Sequence, residues 1–201
     1  MTGNPKIGVF GGSFDPPHAA HLTLARSALQ HLALDRLLIL PTGQAWHKQR
    51  ILSPAHHRLA MAKLAFGDLA RVAIDAREID RPGPSYTIDT LREIAADWPG
   101  ADLFLLIGED QARAWQHWHE GAKIPGLATI CIAARPTSSG ADGDFQVPQA
   151  WKQRFLRLPM APMALSATEL RARLGAHQNV SPLVPEPVAR YIEDHHLYQA
   201  T

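Results

Sequence analysis

The sequence predicts an α/β fold built on a single doubly wound, mainly parallel sheet with helices on both faces. Three observations carry that expectation. Short apolar runs of strand type alternate along the chain with stretches of helical spacing, and parallel neighbours need such crossovers. The runs 37–40 (LLIL) and 103–107 (LFLLI) are apolar without interruption, as strands buried on both faces are. The polar residues of chemical interest follow predicted strands, which is where ligands sit in such sheets.

Residues 6–24, KIGVFGGSFDPPHAAHLTL, open the series. Ile7, Val9 and Phe10 read as a strand, Gly11-Gly12-Ser13 as a tight turn, and Leu22, Ala25, Leu29 and Leu32 recur at helical spacing. Pro16 and Pro17 fit the entry of that helix, because proline lacks an N–H and its fixed φ suits the first helical positions. His18 and His21 are then expected in the first turn, on one face. Run 37–40 is a buried strand closed by Pro41-Thr42-Gly43, and the loop after it carries Trp46, His47 and Lys48. Pro54 opens a helix with Leu59, Ala62 and Phe66 inward, a short strand covers 72–74, and Arg81-Pro82-Gly83-Pro84 is a turn. Ser85-Tyr86-Thr87 leads into a helix with Ile88, Leu91 and Ile94 in register, ended by Pro99-Gly100.

Strand 103–107 stops at Gly108-Glu109-Asp110, where a helical stretch with Trp115 and Trp118 begins; Trp115 has the better claim to the core. Run 128–134 is the next strand, with the lone Cys131 as a small buried hydrophobe. Residues 137–144, rich in Ser, Gly and Asp, read as a surface loop. A last strand at 155–158 precedes Ser166-Ala167-Thr168-Glu169, the form of a capping box, whose helix runs through Leu170 and Leu174 and can end at Gly175. Pro187 starts a final helix with Val188, Tyr191 and Ile192 inward, so the chain closes on a short helical part.

The length of 201 residues suits one domain, 1–201. With 20 basic against 19 acidic residues the formal charge is +1, too small a surplus to hold nucleic acid nonspecifically. No apolar run approaches the roughly 20 residues needed to span a bilayer, and a cytoplasmic protein is expected. Neither G-x-x-x-x-G-K-[ST] nor G-x-G-x-x-G occurs, which removes two classes of nucleotide site. A helix start flanked by two imidazoles suits an anion, and phosphate is the natural guest. The same histidines could form an exposed face or half of a metal site. His117-x-His119 has no Cys or carboxylate partner in sequence, so no protein metal site is expected.

The string Gly-Gly-Ser-Phe-Asp-Pro-Pro-His-x-x-His resembles the G-x-F-D-P-x-H-x-x-H signature of the nucleotidylyltransferase superfamily. PTGQAWHK, PSYTIDTL, FLLIGEDQ with WQHWH after it, and LSATELR resemble one branch, the bacterial nicotinate-nucleotide adenylyltransferases, over nearly the whole length. The resemblance implies a Rossmann-like nucleotidylyltransferase fold and transfer of an adenylyl group from ATP to nicotinate mononucleotide, giving deamido-NAD and pyrophosphate in NAD biosynthesis. It implies that His18 and His21 are catalytic and contact the ATP phosphates, that Gly11, Gly12, Ser13 and Phe14 lie against the nucleotide, and that Ser166, Thr168 and Arg171 hold the triphosphate. Ala167 departs from the S-S-T-x-x-R pattern of the family. Lys48 would hold a phosphate or pyrophosphate, Asp110 ribose hydroxyls and Arg135 a phosphate. Mg²⁺ would be bound mainly through ATP oxygens, with no metal ligands from the protein.

Ser85-Tyr86-Thr87 begins a helix and so offers N–H donors to a carboxylate, and Trp118 offers a face to a pyridine ring. Plainer roles stand beside these: Asp15 and Asp110 as helix caps, Lys48 as a solvated charge, Ser166, Thr168 and Arg171 as an ordinary capped helix start. A sister transferase using another phosphate, or a nucleotide-binding regulatory module without turnover, are the competing readings. Homo-oligomer formation stays open.

Overall fold

The computed structural model describes residues 3–44, 52–134, 147, 149–160, 166–176, 178–181 and 183–199. Its elements run β1 (Lys6–Gly12), α1 (Ala19–His31), β2 (Arg36–Pro41), α2 (Ala55–Phe66), β3 (Val72–Ile74), a one-turn α3 (Arg77–Asp80) and α4 (Thr87–Asp97). Then come β4 (Asp102–Gly108), α5 (Glu109–Ala114), a short α6 (Ile124–Leu127), β5 (Ala128–Ala134), β6 (Phe155–Pro159), α7 (Ala167–Gly175) and α8 (Glu186–Asp194).

The six strands form one sheet in the order β3-β2-β1-β4-β5-β6, and every pairing is parallel. The chain winds outward from β1 through β2 to β3, then returns to the other side of β1 and winds outward again through β6. The reversal between β1 and β4 leaves a crevice beyond their carboxyl ends, the place where such sheets bind ligands.

Successive side chains on a strand point to opposite faces, so each uninterrupted apolar run feeds two cores. On one face Phe10, Leu37, Ile39, Leu106 and Cys131 pack with Leu24 and Ala25 of α1, Met61 and Phe66 of α2, Leu170 of α7, and Val188 and Ile192 of α8. On the other, Ile7, Val9, Leu38, Leu40, Leu105 and Ile107 meet Ile88, Leu91 and Ile94 of α4, with Trp115 and Ile124. Helices therefore cover both faces. Cys131 and Trp115 are buried as expected, and burial pushes the Cys131 thiol up to about 12, which leaves it protonated and inert.

The strand and helix expectations hold, with local corrections. Gly11 and Gly12 belong to β1 instead of forming a turn. The helix after them starts later than the prolines suggested: the Asp15–Pro16 bond is cis, His18 is the N-cap and His21 the third helical residue. On α2 the buried stripe is Arg58, Met61, Ala62, Ala65 and Phe66, and Leu59 is only half-buried. A charged side chain leads that stripe because carbonyl groups beneath it need a donor. Residues 45–51 and 135–146, and with them Lys48 and Arg135, lie outside the described residues.

Candidate active site

The carboxyl end of β1 continues into a segment whose conformation is held from several sides. Phe14 has φ +46, a region that costs a side-chain-bearing residue energy and persists only where packing enforces it. Its ring supplies that packing: it is wholly buried, edge-on to Phe10 at 5.4 Å, Phe66 at 5.5 Å and His21 at 5.1 Å. Any contact of Phe14 with a nucleotide therefore comes from its backbone. A Cβ on Gly12 would stand 3.1 Å from the Phe14 ring, so a small residue suits the strand end beneath it.

His18 and His21 stack with ring centres 3.7 Å apart and planes 26° from parallel. The His18 N–H donates to His21 Nδ1 at 3.2 Å. A nitrogen that accepts carries no proton, so the neutral His21 ring has its hydrogen on Nε2. Burial pushes the His18 ring down to about 4, which makes it neutral at physiological pH. Its Nδ1 is buried with no hydrogen-bond partner among the described residues. The helix start is less open than the sequence suggested: besides the His18 N–H, the Ala19 N–H donates to the Leu183 carbonyl at 2.9 Å. Imidazole nitrogens, more than helix N–H groups, are thus what this end of α1 has to offer an anion.

Arg58 joins the loops around the crevice. Only 2% exposed, it donates from Nε to Ser53 O at 2.9 Å, from Nη1 to Thr42 O at 2.6 Å and Ser13 O at 3.2 Å, and from Nη2 to Gly43 O at 3.4 Å. One planar guanidinium thereby ties the loop after β1, the loop after β2 and the entry of α2.

A cavity opens at the β1/β4 reversal, walled by Gly11, Gly12, Ser13, Thr42, Glu78, Tyr86, Thr87 and Trp118 among others. Its far wall is the start of α4. The Ser85 N–H donates to Gln44 O at 3.1 Å and its hydroxyl to Glu78 O at 3.3 Å, so Ser85 fixes this wall while the N–H groups after it begin the helix. Thr90 donates to Glu78 Oε1 at 2.9 Å, and Arg81 reaches both Thr90 and Glu93. Burial raises the Glu78 carboxyl above its usual range. Tyr86 stacks on His119, ring centres 4.2 Å apart, and both line the cavity with half-buried Trp118.

The protein-family model described as cytidylyltransferase-like matches residues 9–173. A protein of Albidiferax ferrireducens described as a probable nicotinate-nucleotide adenylyltransferase is 57% identical over 96% of this chain and 98% of its own length. Another so described, from Methylibium petroleiphilum, is 45% identical over 98% of this chain and 95% of its own. The chain belongs to the nicotinate-nucleotide adenylyltransferase family. Among solved structures, the nicotinic acid mononucleotide adenylyltransferase of Plasmodium falciparum complexed with NaAD superposes with a TM-score of 0.72 at 19% identity, over 97% of this chain and 98% of that one, which shows the shared fold.

For this member of the nicotinate-nucleotide adenylyltransferase family, the structure brings most of the expected residues to one edge of the sheet. Gly11, Gly12, Ser13, Ser85, Tyr86, Thr87 and Trp118 line the cavity. Arg171 reaches in from α7, donating to the Asp15 carbonyl at 2.9 Å and to Thr168 Oγ1 at 3.0 Å. Ser166 caps α7, its hydroxyl accepting the Glu169 N–H at 3.1 Å. Asp110 stands exposed on α5, and its neighbour Gln111 is the one that lines the cavity. Asp15 does not cap α1: it is wholly buried and accepts from the Tyr198 hydroxyl at 2.6 Å and the Ser53 N–H at 3.3 Å. Sequence reasoning missed Arg58, Glu78 and Tyr198 as parts of the site. Arg58 left one signal, a charged residue four before the inward Ala62 on the same helix; the others left none.

Proposed function

We propose that this protein transfers the adenylyl group of ATP to nicotinate mononucleotide, releasing pyrophosphate and forming deamido-NAD. The observation that carries the reading is that one short segment, the end of β1 and the loop after it, both walls the aromatic cavity and leads into the stacked His18–His21 pair. Two anionic substrates can thus be held on either side of a common backbone. A 5′-phosphate oxygen of the mononucleotide attacks the α-phosphorus in line, and the bond to the β-phosphate oxygen breaks with pyrophosphate leaving. The protein's part is alignment and stabilisation of charge that builds on the phosphate oxygens.

In this reading His21 donates from Nε2 and His18 from its neutral ring to ATP phosphate oxygens. The Gly11-Gly12 backbone and Ser13 lie against the nucleotide, Ser166, Thr168 and Arg171 hold the far phosphates, and Lys48 and Arg135 add charge. Among the described residues no group of three His, Cys, Asp or Glu side chains is placed to hold a metal, and the donors around the histidine pair suit phosphate oxygens. Mg²⁺ would come to the site with ATP, and would supply charge neutralisation on the phosphate oxygens there. Trp118 takes the pyridine ring, and the first-turn N–H groups of α4 take its carboxylate. An amide would turn an NH₂ toward one of those donors, a mismatch costing about 1–3 kcal/mol.

The test is pyrophosphate release by the purified protein with ATP and Mg²⁺ and, in turn, nicotinate mononucleotide, nicotinamide mononucleotide and phosphopantetheine. The expected result is kcat/KM for the acid above that for the amide by roughly tenfold to a hundredfold. Equal values overturn the acid selectivity. No release with any acceptor favours the regulatory module.

A further inference from the structure

Asp15 stands at the centre of the segment that leads from β1 to His18, wholly buried, and it serves no helix. At the start of α1 the His18 and Ala19 N–H groups are spent on His21 Nδ1 and the Leu183 carbonyl. A buried carboxylate is costly unless its oxygens are satisfied. Its donors come from distant parts of the chain: the Tyr198 hydroxyl, beyond α8, at 2.6 Å on Oδ1, and the Ser53 N–H at 3.3 Å on Oδ2. Its backbone carbonyl takes Arg171 from α7 at 2.9 Å. The two sides of the proposed ATP site, the histidine pair and the Thr168–Arg171 pair, therefore meet at this one residue. Burial and the neighbouring carboxylate both raise the Tyr198 phenol, which keeps it a proton donor at any working pH.

We propose that Tyr198 is a positioning residue for adenylyl transfer, its hydroxyl fixing Asp15 and thereby the segment that presents His18 to the ATP phosphates. The inference rests on the adenylyl-transfer reading above. Tyr198 touches no reacting atom. It acts through Asp15, whose Cα is three residues from that of His18, and a short oxygen–oxygen hydrogen bond to a carboxylate is among the stronger ones a protein makes. The pyridine cavity is walled by α4 and Trp118 and includes neither Asp15 nor Tyr198. Loss of the hydroxyl should accordingly separate the two substrates.

The experiment is Y198F, assayed well below its Tm, with His18 observed in parallel by NMR of ¹³C-histidine-labelled protein. The expected result is a kcat reduced about tenfold or more, a KM for nicotinate mononucleotide within twofold of wild type, and a shifted His18 ring resonance with that of His119 unmoved. A kcat within twofold of wild type, whatever happens to Tm, overturns the proposal, as does a lowered kcat with the His18 resonance unchanged or with an equal rise in both substrates' KM. Should Y198F fail to fold, Y198M fills the site without a hydroxyl and gives the same comparison. If wild type itself turns over no pyridine nucleotide, the functional reading fails, and the His18 resonance still decides whether Tyr198 positions that ring.

Discussion

A single imidazole shows how burial converts into chemistry. His18 titrates near 6.5 when the chain is unfolded and near 4 when folded, because its ring is shut away from water. Between those values the unfolded state holds the extra proton, so stability is full above pH 6.5, falls as pH drops toward 4, and levels off below that. From pH 7 to pH 5 the loss is about 2 kcal/mol. Urea unfolding at the two pH values should show His18→Asn losing that share of the pH dependence; an unchanged difference would refute it. The same variant should turn over about 10²–10³-fold more slowly, the usual cost of one preorganised donor. Arg58 makes the complementary case. Arg58→Met leaves the carbonyls of Ser13, Thr42, Gly43 and Ser53 without its N–H groups, and at about 1–3 kcal/mol for each buried group left unmatched the loss should exceed about 3 kcal/mol. Denaturant midpoints read it directly, and a loss under 1 kcal/mol would mean water replaces the guanidinium.

Between elements, the close fit of the loop after β2 onto α3 decides the shape of the cavity wall. A Cβ on Gly43 would fall 1.9 Å from the Glu78 carbonyl oxygen, a backbone atom with no rotamer to yield. Gly43→Ala must therefore push the loop and α3 apart, moving Thr42, Glu78 and Ser85 together, at about 1–3 kcal/mol. The expected kinetic signature is a raised KM for the pyridine nucleotide with a smaller change for ATP, measured alongside Tm; if neither moves, the contact is not rigid. The α1 start teaches a related point. Helix N-termini attract anions because their N–H groups are unpaired, yet here the packing of the chain near Leu183 and the His18–His21 bond have already engaged two of them.

Over the whole molecule, the two cores are not separable bodies, because each of β1, β2, β4 and β5 contributes side chains to both. Removing the helices from one face would expose the backs of the strands that support the other. Unfolding should accordingly be one cooperative transition. Tryptophan fluorescence reports the face carrying Trp115, Trp118 and Trp98, while far-UV circular dichroism reports all helices. Coincident midpoints are expected, and two resolved transitions would show that residues 1–201 hold more than one folding unit.

How much of this was written in the residues alone follows from the range of the forces involved. The six strands and the longer helices were legible, and one-turn α3 and α6 were not, because apolar periodicity is local and needs several turns to show: runs such as 37–40 and 103–107 must be buried on both faces wherever they lie. The stacked His18–His21 pair and the Ser85-Tyr86-Thr87 helix start were legible as motifs, since each is built from residues close in sequence. Tertiary structure decided the strand order, the β1/β4 reversal, and every partner that is distant in the chain. Arg58 at the carbonyls of three loops, Glu78 behind Thr90, and Tyr198 on Asp15 across 183 residues are each a buried polar group finding its match. Such matches are set by where folded segments meet and leave no periodicity to read, so the sequence could name Asp15 but only the fold could say that it holds a tyrosine and not a helix.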